Sequence, residues 1–367
     1  MPIPAHPSEP ADSDLITPAE LALATRNHGM PLEAMRWELT PPGLHYLLVH
    51  YDVPRIDGAT WTLEVGGTVT RPMSFGLDDL TAMPSTTVAA TMECAGNGRA
   101  LLQPRALSQP WLLEAVGTAE WTGVRLMDVV NESGLDDDTV ELVFTGADRG
   151  VEAGVIQNYE RALSIDEARA SGALLVHSMN GDPLLPQHGF PVRLLVPGWY
   201  GMTNVKWLSR ITAVAEPFRG YQNETAYRIR QDADEAGTPL TRIMPRSLIV
   251  PPGIPDFFSR HRILEPGLCE LEGRAWSGWA PIESVDVTVD RGETWMAADL
   301  GPEPRDPHAW RHFTCAWDPS AAGDYELRSR CRDAEGNVQP DQPPWNRGGY
   351  ANNSTQRVSV TVLASQP

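Results

Sequence analysis

Short apolar runs separated by glycine, proline and acidic residues fill the first two-thirds of the chain, with periods typical of strands in some places and of helices in others. The runs rich in β-branched and apolar residues predict strands at 61–69, 87–92, 174–178 and 192–196. Helices are predicted to begin at Leu77, Leu126 and Ile165. A further short helix is predicted near Pro18, where Thr17 can cap the first turn.

After a proline-rich crossing at 245–255, the pattern changes to strands alone. Apolar or alternating runs lie between Gly, Asp and Pro turns at 269–276, 284–290, 310–317, 324–332 and 357–363. About seven strands in roughly 110 residues are typical of an Ig-like sandwich. The predicted fold class is α+β, in which a mixed α/β domain precedes an all-β Ig-like domain. We place the divisions at 1–24 for an N-terminal extension, 25–243 for the mixed domain and 244–367 for the sandwich.

Composition narrows the class of protein. A hydrophobic content of 41% with 21% charged residues is typical of a globular chain, and 367 residues suit two domains. The net charge of −19 argues against nucleic-acid binding and would favour a basic protein partner. No apolar run approaches the ~20 residues of a membrane span. The polar start lacks a signal-peptide pattern, so we expect no membrane contact and a cytoplasmic location, or a periplasmic one if the sequence is already processed.

The four cysteines contain no Cys-x-x-Cys motif. Two of them, Cys315 and Cys331, lie on consecutive predicted strands. If these strands form a hairpin in which Trp317 faces Asp324, Cys315 faces Glu326 and points to the opposite side from Cys331. The sequence therefore predicts free thiols and a reducing compartment.

Cys94 is the most informative residue. It follows the predicted strand 87–92 and opens the run Cys94-Ala95-Gly96-Asn97-Gly98-Arg99, which combines turn chemistry with a nearby positive charge. It could be a buried hydrophobe, a nucleophile or a metal ligand. A nucleophile would need a base such as His28, His177 or His188. A lone thiolate makes a poor zinc site, so a metal here would have to arrive inside a cofactor.

Three further segments carry polar side chains suited to an anion. Arg26-Asn27-His28 precedes a turn, and Lys206 follows the glycine-rich run 197–201. Arg193 begins a predicted buried strand just after His188, so its charge requires a carboxylate or a phosphate. We favour the phosphate. Together these segments predict a polyanionic cofactor.

On these residues the sequence resembles the sulfite oxidase family of molybdenum enzymes. The resemblance covers about residues 25–363. In the first domain it rests on the segments Arg26-Asn27-His28, Cys94-Ala95-Gly96-Asn97, Asn180-Gly181, 188–193 and 196–208. In the second domain, the segments that resemble the family's dimerisation domain are 273–278, 286–290, 337–340 and Trp345-Asn346.

The resemblance implies a role for each matching position. Cys94 would be the thiolate ligand of molybdenum, and a soft thiolate suits such a metal. The residues that would hold molybdopterin and its phosphate are Asn27, His28, Asp148, His188, Arg193 and Lys206. Arg26 and Arg99 would hold an oxyanion substrate, Trp111 would lie in the same pocket, and Tyr227 would lie beside the metal.

The implied reaction is oxidation of sulfite to sulfate by oxygen-atom transfer, with electrons passed to a separate acceptor such as a small cytochrome. The implied assembly is a homodimer. The sequence departs from the family pattern at Gly98, where the first of two arginines is usual, and near Arg347: either the family's active-site arginine is shifted by one position here, or the site lacks that charge. These departures keep open a related enzyme that acts on another oxyanion or an S-oxide, and that runs reductively. A cysteine-nucleophile hydrolase and a binding module built on the sandwich are the remaining alternatives.

Overall fold

The computed structural model describes residues 10–11, 15–319, 321–342 and 344–364. Its helices are α1 (Pro18–Ala24), α2 (Leu77–Ala82), α3 (Leu126–Ser133) and α4 (Ile165–Ala170). All four predicted helices are thereby confirmed. In α1 the Thr17 hydroxyl accepts from the Glu20 N–H while the Glu20 carboxylate accepts from the Thr17 N–H, so the predicted cap forms a capping box. Short 3₁₀ turns lie at 32–36, 99–101, 186–188 and 201–203, and a π turn lies at 222–226.

The strands of the first part confirm the predicted runs. They are β1 (Pro10–Ala11), β2 (Thr62–Gly67), β3 (Met73–Gly76), β4 (Ser85–Glu93), β5 (Arg105–Ala106), β6 (Val116–Arg125), β7 (Glu141–Glu152), β8 (Val155–Ser164), β9 (Leu174–Met179), β10 (Asp182–Pro183), β11 (Arg193–Leu195), β12 (Leu208–Val214), β13 (Arg228–Ile229) and β14 (Thr238–Pro239).

Two five-stranded sheets organise this first part. One has the order β10-β9-β6-β4, with β11 also paired to β9, and the other has the order β3-β2-β12-β7-β8. Pairing is antiparallel except between β2 and β12. Leu63, Phe144 and Leu194 belong to the core of this domain and are fully buried. The register of β4 on β6 continues to the pair Glu93–Val116, which fixes the position of the next residue, Cys94.

The second part is all β, as predicted. Its strands are β15 (Arg246–Ile249), β16 (Ile254–Pro255), β17 (Arg262–Leu264), β18 (Cys269–Trp276), β19 (Ile282–Thr288), β20 (Met296–Ala297), β21 (Asp299–Leu300), β22 (Arg311–Trp317), β23 (Gly323–Asp333) and β24 (Val358–Val362). They form a four-stranded sheet, β15-β18-β22-β21, and a six-stranded sheet, β16-β17-β24-β23-β19-β20. Ile249, Phe313, Val287 and Leu327 contribute to one core from both sheets.

The predicted hairpin between the strands of Cys315 and Cys331 is wrong. Trp317 pairs with Cys269, not with Asp324, because β22 and β23 lie in different sheets. The connection between them crosses the sandwich, which alternation of polar and apolar residues cannot reveal. The four cysteines are free in the structure.

The two domains meet behind β4. Arg246 on β15 forms an ion pair with Glu93, and Trp276 Nε1 donates to the same carboxylate at 2.8 Å. Residues 346–352 of the second part return to the first domain, where the Asn352 side-chain amide donates to the Gly98 carbonyl at 2.7 Å. Among the described residues, no helix is both long and apolar enough to cross a bilayer.

Candidate active site

Two adjoining cavities lie at the end of β4. The large cavity has a volume of about 390 Å³ and the small cavity about 70 Å³. The residues that line both are Leu48, His50, Cys94 and Tyr227. Cys94 therefore lies at the junction of two spaces, as a residue that contacts both a cofactor and a substrate would.

The backbone around Cys94 is held in place on both sides. The Cys94 N–H donates to the Ala115 carbonyl at 2.9 Å, and the Cys94 carbonyl accepts from the Asn97 N–H at 2.9 Å. The Asn97 amide donates in turn to Glu93 Oε1 at 3.0 Å. The left-handed backbone at Gly98 (φ +87°) then turns the chain towards Arg99. Hydrogen bonds therefore fix the backbone of this loop on both sides of Cys94.

Cys94 is 8% exposed, and its burial raises the pKa of the thiol, while the Arg99 guanidinium acts in the opposite direction. The sulfur is therefore a thiol until a cation displaces its proton. The described residues contain no group of three or more His, Cys, Asp or Glu side chains that could hold a metal ion. A metal bound by Cys94 must therefore bring most of its ligands with it.

The Arg99 side chain passes close to two glycines on its way to the large cavity. Its Nε donates to the Gly348 carbonyl at 2.9 Å and its Nη1 to the Gln109 carbonyl at 3.2 Å. A Cβ atom on Gly96 or Gly349 would lie 2.6 Å from the Arg99 side chain, so both glycines are needed for this path. Within the described part of the chain no carboxylate forms an ion pair with Arg99, which leaves its charge available to an anion.

The structure places the three residues of the segment 26–28 in different surroundings. Arg26 and Asn27 line the large cavity. The Asn27 amide donates to Gln109 Oε1 at 2.8 Å, and Asn27 Oδ1 accepts from the Val49 N–H at 2.7 Å. His28 is exposed and lines neither cavity, but its charge contributes to lowering the pKa of His188 in the small cavity, so its role in the cofactor site stays a prediction. The His28 backbone pairs with Leu47.

Arg193 in the small cavity is a buried cation whose partners are neutral. Its Nη1 donates to the His188 carbonyl at 3.0 Å, its Nη2 to the Asn204 carbonyl at 3.1 Å, and its guanidinium lies 5.1 Å from the centre of the Trp121 ring. Burial lowers the pKa of Arg193 to about 10. Its Nε has no partner, and the described residues offer no carboxylate in ion-pair distance. Of the two predicted partners, the carboxylate is therefore excluded within this part of the chain.

Lys206 adds a second positive group to the small cavity. Its Nζ donates to the Leu48 carbonyl at 2.8 Å and the Gln187 carbonyl at 2.9 Å. Burial and the charge of Arg193 lower the pKa of Lys206 to about 7. Burial also lowers the pKa of His188 to about 4 and raises that of Asp148 to about 6. An anion in this cavity would restore the full charge of Lys206.

Trp111 and Tyr227 complete the surroundings of Cys94. Trp111 is 5% exposed, lines the large cavity and interacts through its indole N–H with Cys94, which acts to lower the pKa of that thiol. Burial raises the pKa of Tyr227 well above its ordinary value, so its hydroxyl keeps its proton. The Arg161 guanidinium lies 5.6 Å from the centre of the Tyr227 ring.

The two departures from the family pattern have distinct structural outcomes. A Cβ atom on Gly98 would lie 2.9 Å from Asn352 Nδ2, so the position has no room for a side chain. Arg347 does line the large cavity together with Gly348 and Tyr350, and its backbone N–H donates to the Arg230 carbonyl at 2.8 Å. Arg347 is therefore part of the cavity wall.

Several residues of the site were not predicted from the sequence. They are His45, Tyr46, His50, Glu152, Tyr159, Arg161, Arg230 and Tyr350. Two histidines and two tyrosines lie close together at 45–51, and this cluster of polar aromatic side chains could have indicated part of the site. No feature of the sequence indicated Glu152, because its partner His50 lies 102 positions away along the chain.

Comparison with protein-family models decides the family. Residues 50–222 match the oxidoreductase molybdopterin binding domain, and residues 245–363 match the Mo-co oxidoreductase dimerisation domain. The chain belongs to the sulfite oxidase family of molybdopterin-dependent oxidoreductases. It is accordingly an enzyme of the oxidoreductase class, and the cofactor that its first domain implies is the molybdenum cofactor.

Known relatives include oxidases and reductases. The chain is 34% identical to human mitochondrial sulfite oxidase over 349 residues, which cover 88% of this chain and 62% of that protein. It is 31% identical to rice NADH nitrate reductase 1 over 353 residues, which cover 88% of this chain and 38% of that protein. The chain thus spans less than two thirds of the length of the curated relatives it matches.

The fold is shared with a solved structure. The sulfane dehydrogenase SoxCD from Paracoccus pantotrophus superposes with a TM-score of 0.80 at 24% identity, over 97% of this chain and 90% of that chain. This likeness confirms the predicted fold class of a molybdopterin-binding domain followed by a sheet-rich dimerisation domain.

The residues of the small cavity fit an anionic cofactor. A bound phosphate or pterin oxygen would give Arg193 Nε a hydrogen-bond partner. It would also stabilise the charged form of Lys206, whose pKa is lowered by burial. The thiol of Cys94 at the junction supplies the kind of donor that a soft metal prefers.

Proposed function

We propose that the protein oxidises sulfite to sulfate and passes the electrons to an external acceptor. The observation that carries the proposal is the position of Cys94 between a basic small cavity and a large cavity that contains Arg26 and Arg99. Identity of 34% with a sulfite oxidase supports the same substrate. The electron acceptor and the substrate are the parts of the proposal that experiment must decide.

The cofactor is assigned to the small cavity and its junction. Cys94 would supply the thiolate ligand of molybdenum. The groups that would hold molybdopterin and its phosphate are Asp148, His188, Arg193 and Lys206, which line the small cavity, together with Asn27 and His28. Asn27 lines the large cavity and accepts from the Val49 N–H next to the junction residues Leu48 and His50, and the charge of His28 acts on His188. When bound, the cofactor supplies a centre that exchanges an oxygen atom and two electrons with the substrate.

The substrate is assigned to the large cavity. Arg99 and Arg26 neutralise the oxyanion, a task suited to planar guanidinium groups that donate two hydrogen bonds in parallel. Trp111 supplies an indole N–H at the same wall. Tyr227, which keeps its proton, acts as a hydrogen-bond donor and not as a base.

The assembly and partners follow from the second domain and the surface charge. The dimerisation domain supports a homodimer. The net charge of −19 favours a basic electron acceptor such as a small cytochrome. We retain the division into 1–24, 25–243 and 244–367 and the cytoplasmic or periplasmic location as parts of this proposal.

The decisive experiment measures cofactor content and substrate choice in the purified protein. We expect about one molybdenum and one pterin per chain and sulfite-dependent reduction of ferricyanide. Nitrate and dimethyl sulfoxide, tested with a reduced dye as electron donor, should be turned over far more slowly. Absence of molybdenum would favour a cysteine hydrolase, and nitrate or S-oxide reduction without sulfite oxidation would overturn the substrate assignment.

Reduction of another oxyanion is the second candidate. It is favoured by Gly98, where an arginine is usual in the family pattern and no side chain can be accommodated. The 31% identity with nitrate reductases supports it as well. The substrate comparison above separates the two candidates.

A further inference from the structure

One carboxylate oxygen beside the large cavity has at least three side-chain partners. Glu152 Oε2 accepts from the Tyr51 hydroxyl at 2.8 Å and from Gln222 Nε2 at 2.8 Å, and it lies 2.9 Å from His50 Nε2. The His50 and Glu152 side chains are 23% and 14% exposed. The pair is therefore ordered and shielded, yet still in contact with solvent.

His50 lies where the two cavities meet. It lines both of them, whereas Glu152 lines the large cavity and Asp148 the small one. The imidazole packs edge-on against the Tyr159 ring with 4.8 Å between ring centres. Its charge also lowers the pKa of Asp148, which burial holds at about 6. His50 is thus coupled to one carboxylate on each side of the junction.

Sulfite oxidation requires an exit for protons. Sulfite and water yield sulfate, two protons and two electrons, and the electrons leave to the external acceptor. Burial raises the pKa values of the Tyr159 and Tyr227 hydroxyls well above the ordinary range, so both keep their protons. Neither residue is therefore present as a phenolate that could take up a proton from the substrate site. Carboxylate and imidazole groups are the side chains that exchange protons near neutral pH.

We propose that His50 and Glu152 form a proton relay that connects the junction of the two cavities with solvent. The inference rests on the proposed oxidation of sulfite. The imidazole takes up one proton from the junction and passes one to Glu152 Oε2, and Glu152 releases it to water. Two such passes accompany each sulfite oxidised, so His50 and Glu152 are unchanged after turnover.

The charged surroundings are consistent with transfer in this direction. The polar and charged groups around His50 come from several elements. They are Asp148 and Glu152 on β7, Tyr159 on β8, Gln222 in the π turn and Tyr51 next to His50 itself. More distant groups act indirectly: Asp52 and Lys206 affect Asp148, and Tyr221 interacts with Glu152. Glu152 Oε2 lies 2.9 Å from the ring in the large cavity, and Asp148 in the small cavity is affected by the charge of the ring.

The test uses the holoenzyme with sulfite and ferricyanide. In His50→Gln and in Glu152→Gln we expect kcat to fall about tenfold or more, with KM changed less than twofold. Added imidazole buffer should restore much of the rate in His50→Gln, because a small base replaces the missing one. The matched control is His261→Gln, on the second domain, where His261 contacts Thr361 and neither cavity; it should keep the wild-type rate.

Two results would overturn the relay. One is an unchanged kcat, or a loss that imidazole does not relieve. The other comes from carboxyl NMR of Asp148, whose pKa should rise above about 6 in His50→Gln because the imidazole charge is lost; an unchanged value would show that His50 carries no proton at the junction. This second readout does not depend on turnover. If the wild-type protein fails to oxidise sulfite, the proposed function falls, and the Asp148 titration then decides separately whether His50 holds a proton at the junction.

Discussion

Glu93 and Arg246 form an ion pair that is almost completely buried between the two domains. Arg246 Nη1 lies 2.9 Å from Glu93 Oε1, and the two side chains are 1% and 3% exposed. Trp276 and Asn97 donate to the same carboxylate. Because Glu93 directly precedes Cys94, the second domain helps to fix the loop that presents the thiol.

Arg246→Met tests this connection. Loss of the guanidinium leaves the Glu93 carboxylate buried without its cation, so we expect the free energy of unfolding in urea to fall by roughly 3–5 kcal/mol. The molybdenum content of the purified variant should fall as well. The control is Arg210→Met, which removes an ion pair whose side chains are 58% and 57% exposed and should cost less than about 1 kcal/mol. Equal losses in both variants would contradict the buried link.

Cys94→Ser separates cofactor binding from catalysis. We expect the variant to retain pterin, since Arg193 and Lys206 are unchanged, and to lose sulfite oxidation, since a hydroxyl is a poor ligand for a soft metal. Pterin fluorescence after extraction and ferricyanide reduction measure the two properties. Cys315→Ser, in the core of the sandwich, should remain active. A fully active Cys94→Ser enzyme would exclude the ligand role.

Arg99→Gln removes charge from the large cavity without filling it. The loss of charge-assisted hydrogen bonds to the oxyanion should raise KM for sulfite by roughly ten- to a hundredfold. Steady-state kinetics with ferricyanide provide the measurement. Arg125→Gln, at an exposed position, is the control and should have the wild-type KM. Unchanged kinetics in Arg99→Gln would remove Arg99 from the substrate site.

Lys206 should make cofactor uptake depend on pH. In the cofactor-free protein the pKa of Lys206 is lowered to about 7, so the side chain is charged below that pH and neutral above it. Binding a phosphate requires the charged form, and uptake of molybdopterin should therefore weaken as pH rises above 7. Reconstitution of the apoprotein between pH 6 and pH 9 is the measurement. Lys206→Gln should bind weakly with little pH dependence; a dependence that persists in this variant would assign it to another group.

Gly98→Ala examines the departure from the double arginine. A left-handed backbone and the nearby Asn352 amide predict a loss of about 1–2 kcal/mol in unfolding free energy. Gly43→Ala is the control, because nothing lies within 4 Å of the added methyl group. If both variants are equally stable, Gly98 is not required by the backbone.

Local sequence predicted the parts of the site that lie close together along the chain. The strand, the Cys94 loop and Arg99 are consecutive, and the turn chemistry of Gly96 to Gly98 is visible in the sequence. The partners of Arg193 were only partly foreseen. Sequence showed that a buried guanidinium needs a partner, but the structure was required to show that backbone carbonyls of His188 and Asn204 supply two of its hydrogen bonds.

Long-range relationships were beyond the sequence. The strands of Cys315 and Cys331 are consecutive and amphipathic. This pattern is expected both for a hairpin and for two strands in different sheets, so it does not distinguish the two topologies. The same holds for His50 and Glu152, whose contact depends on the length of β7 and its register with β8. Side-chain periodicity fixes which face of a strand is buried, but it does not fix which distant segment covers that face.

Arg347, Gly348 and Tyr350 close one wall of the large cavity, although they follow most of the sandwich strands in the chain. During synthesis on the ribosome this wall emerges only after the first domain has left the exit tunnel. The proposed substrate cavity is therefore finished only when the polypeptide is nearly complete. A nascent chain arrested before residue 345 would display Arg99 without its Gly348 contact and the large cavity without this wall.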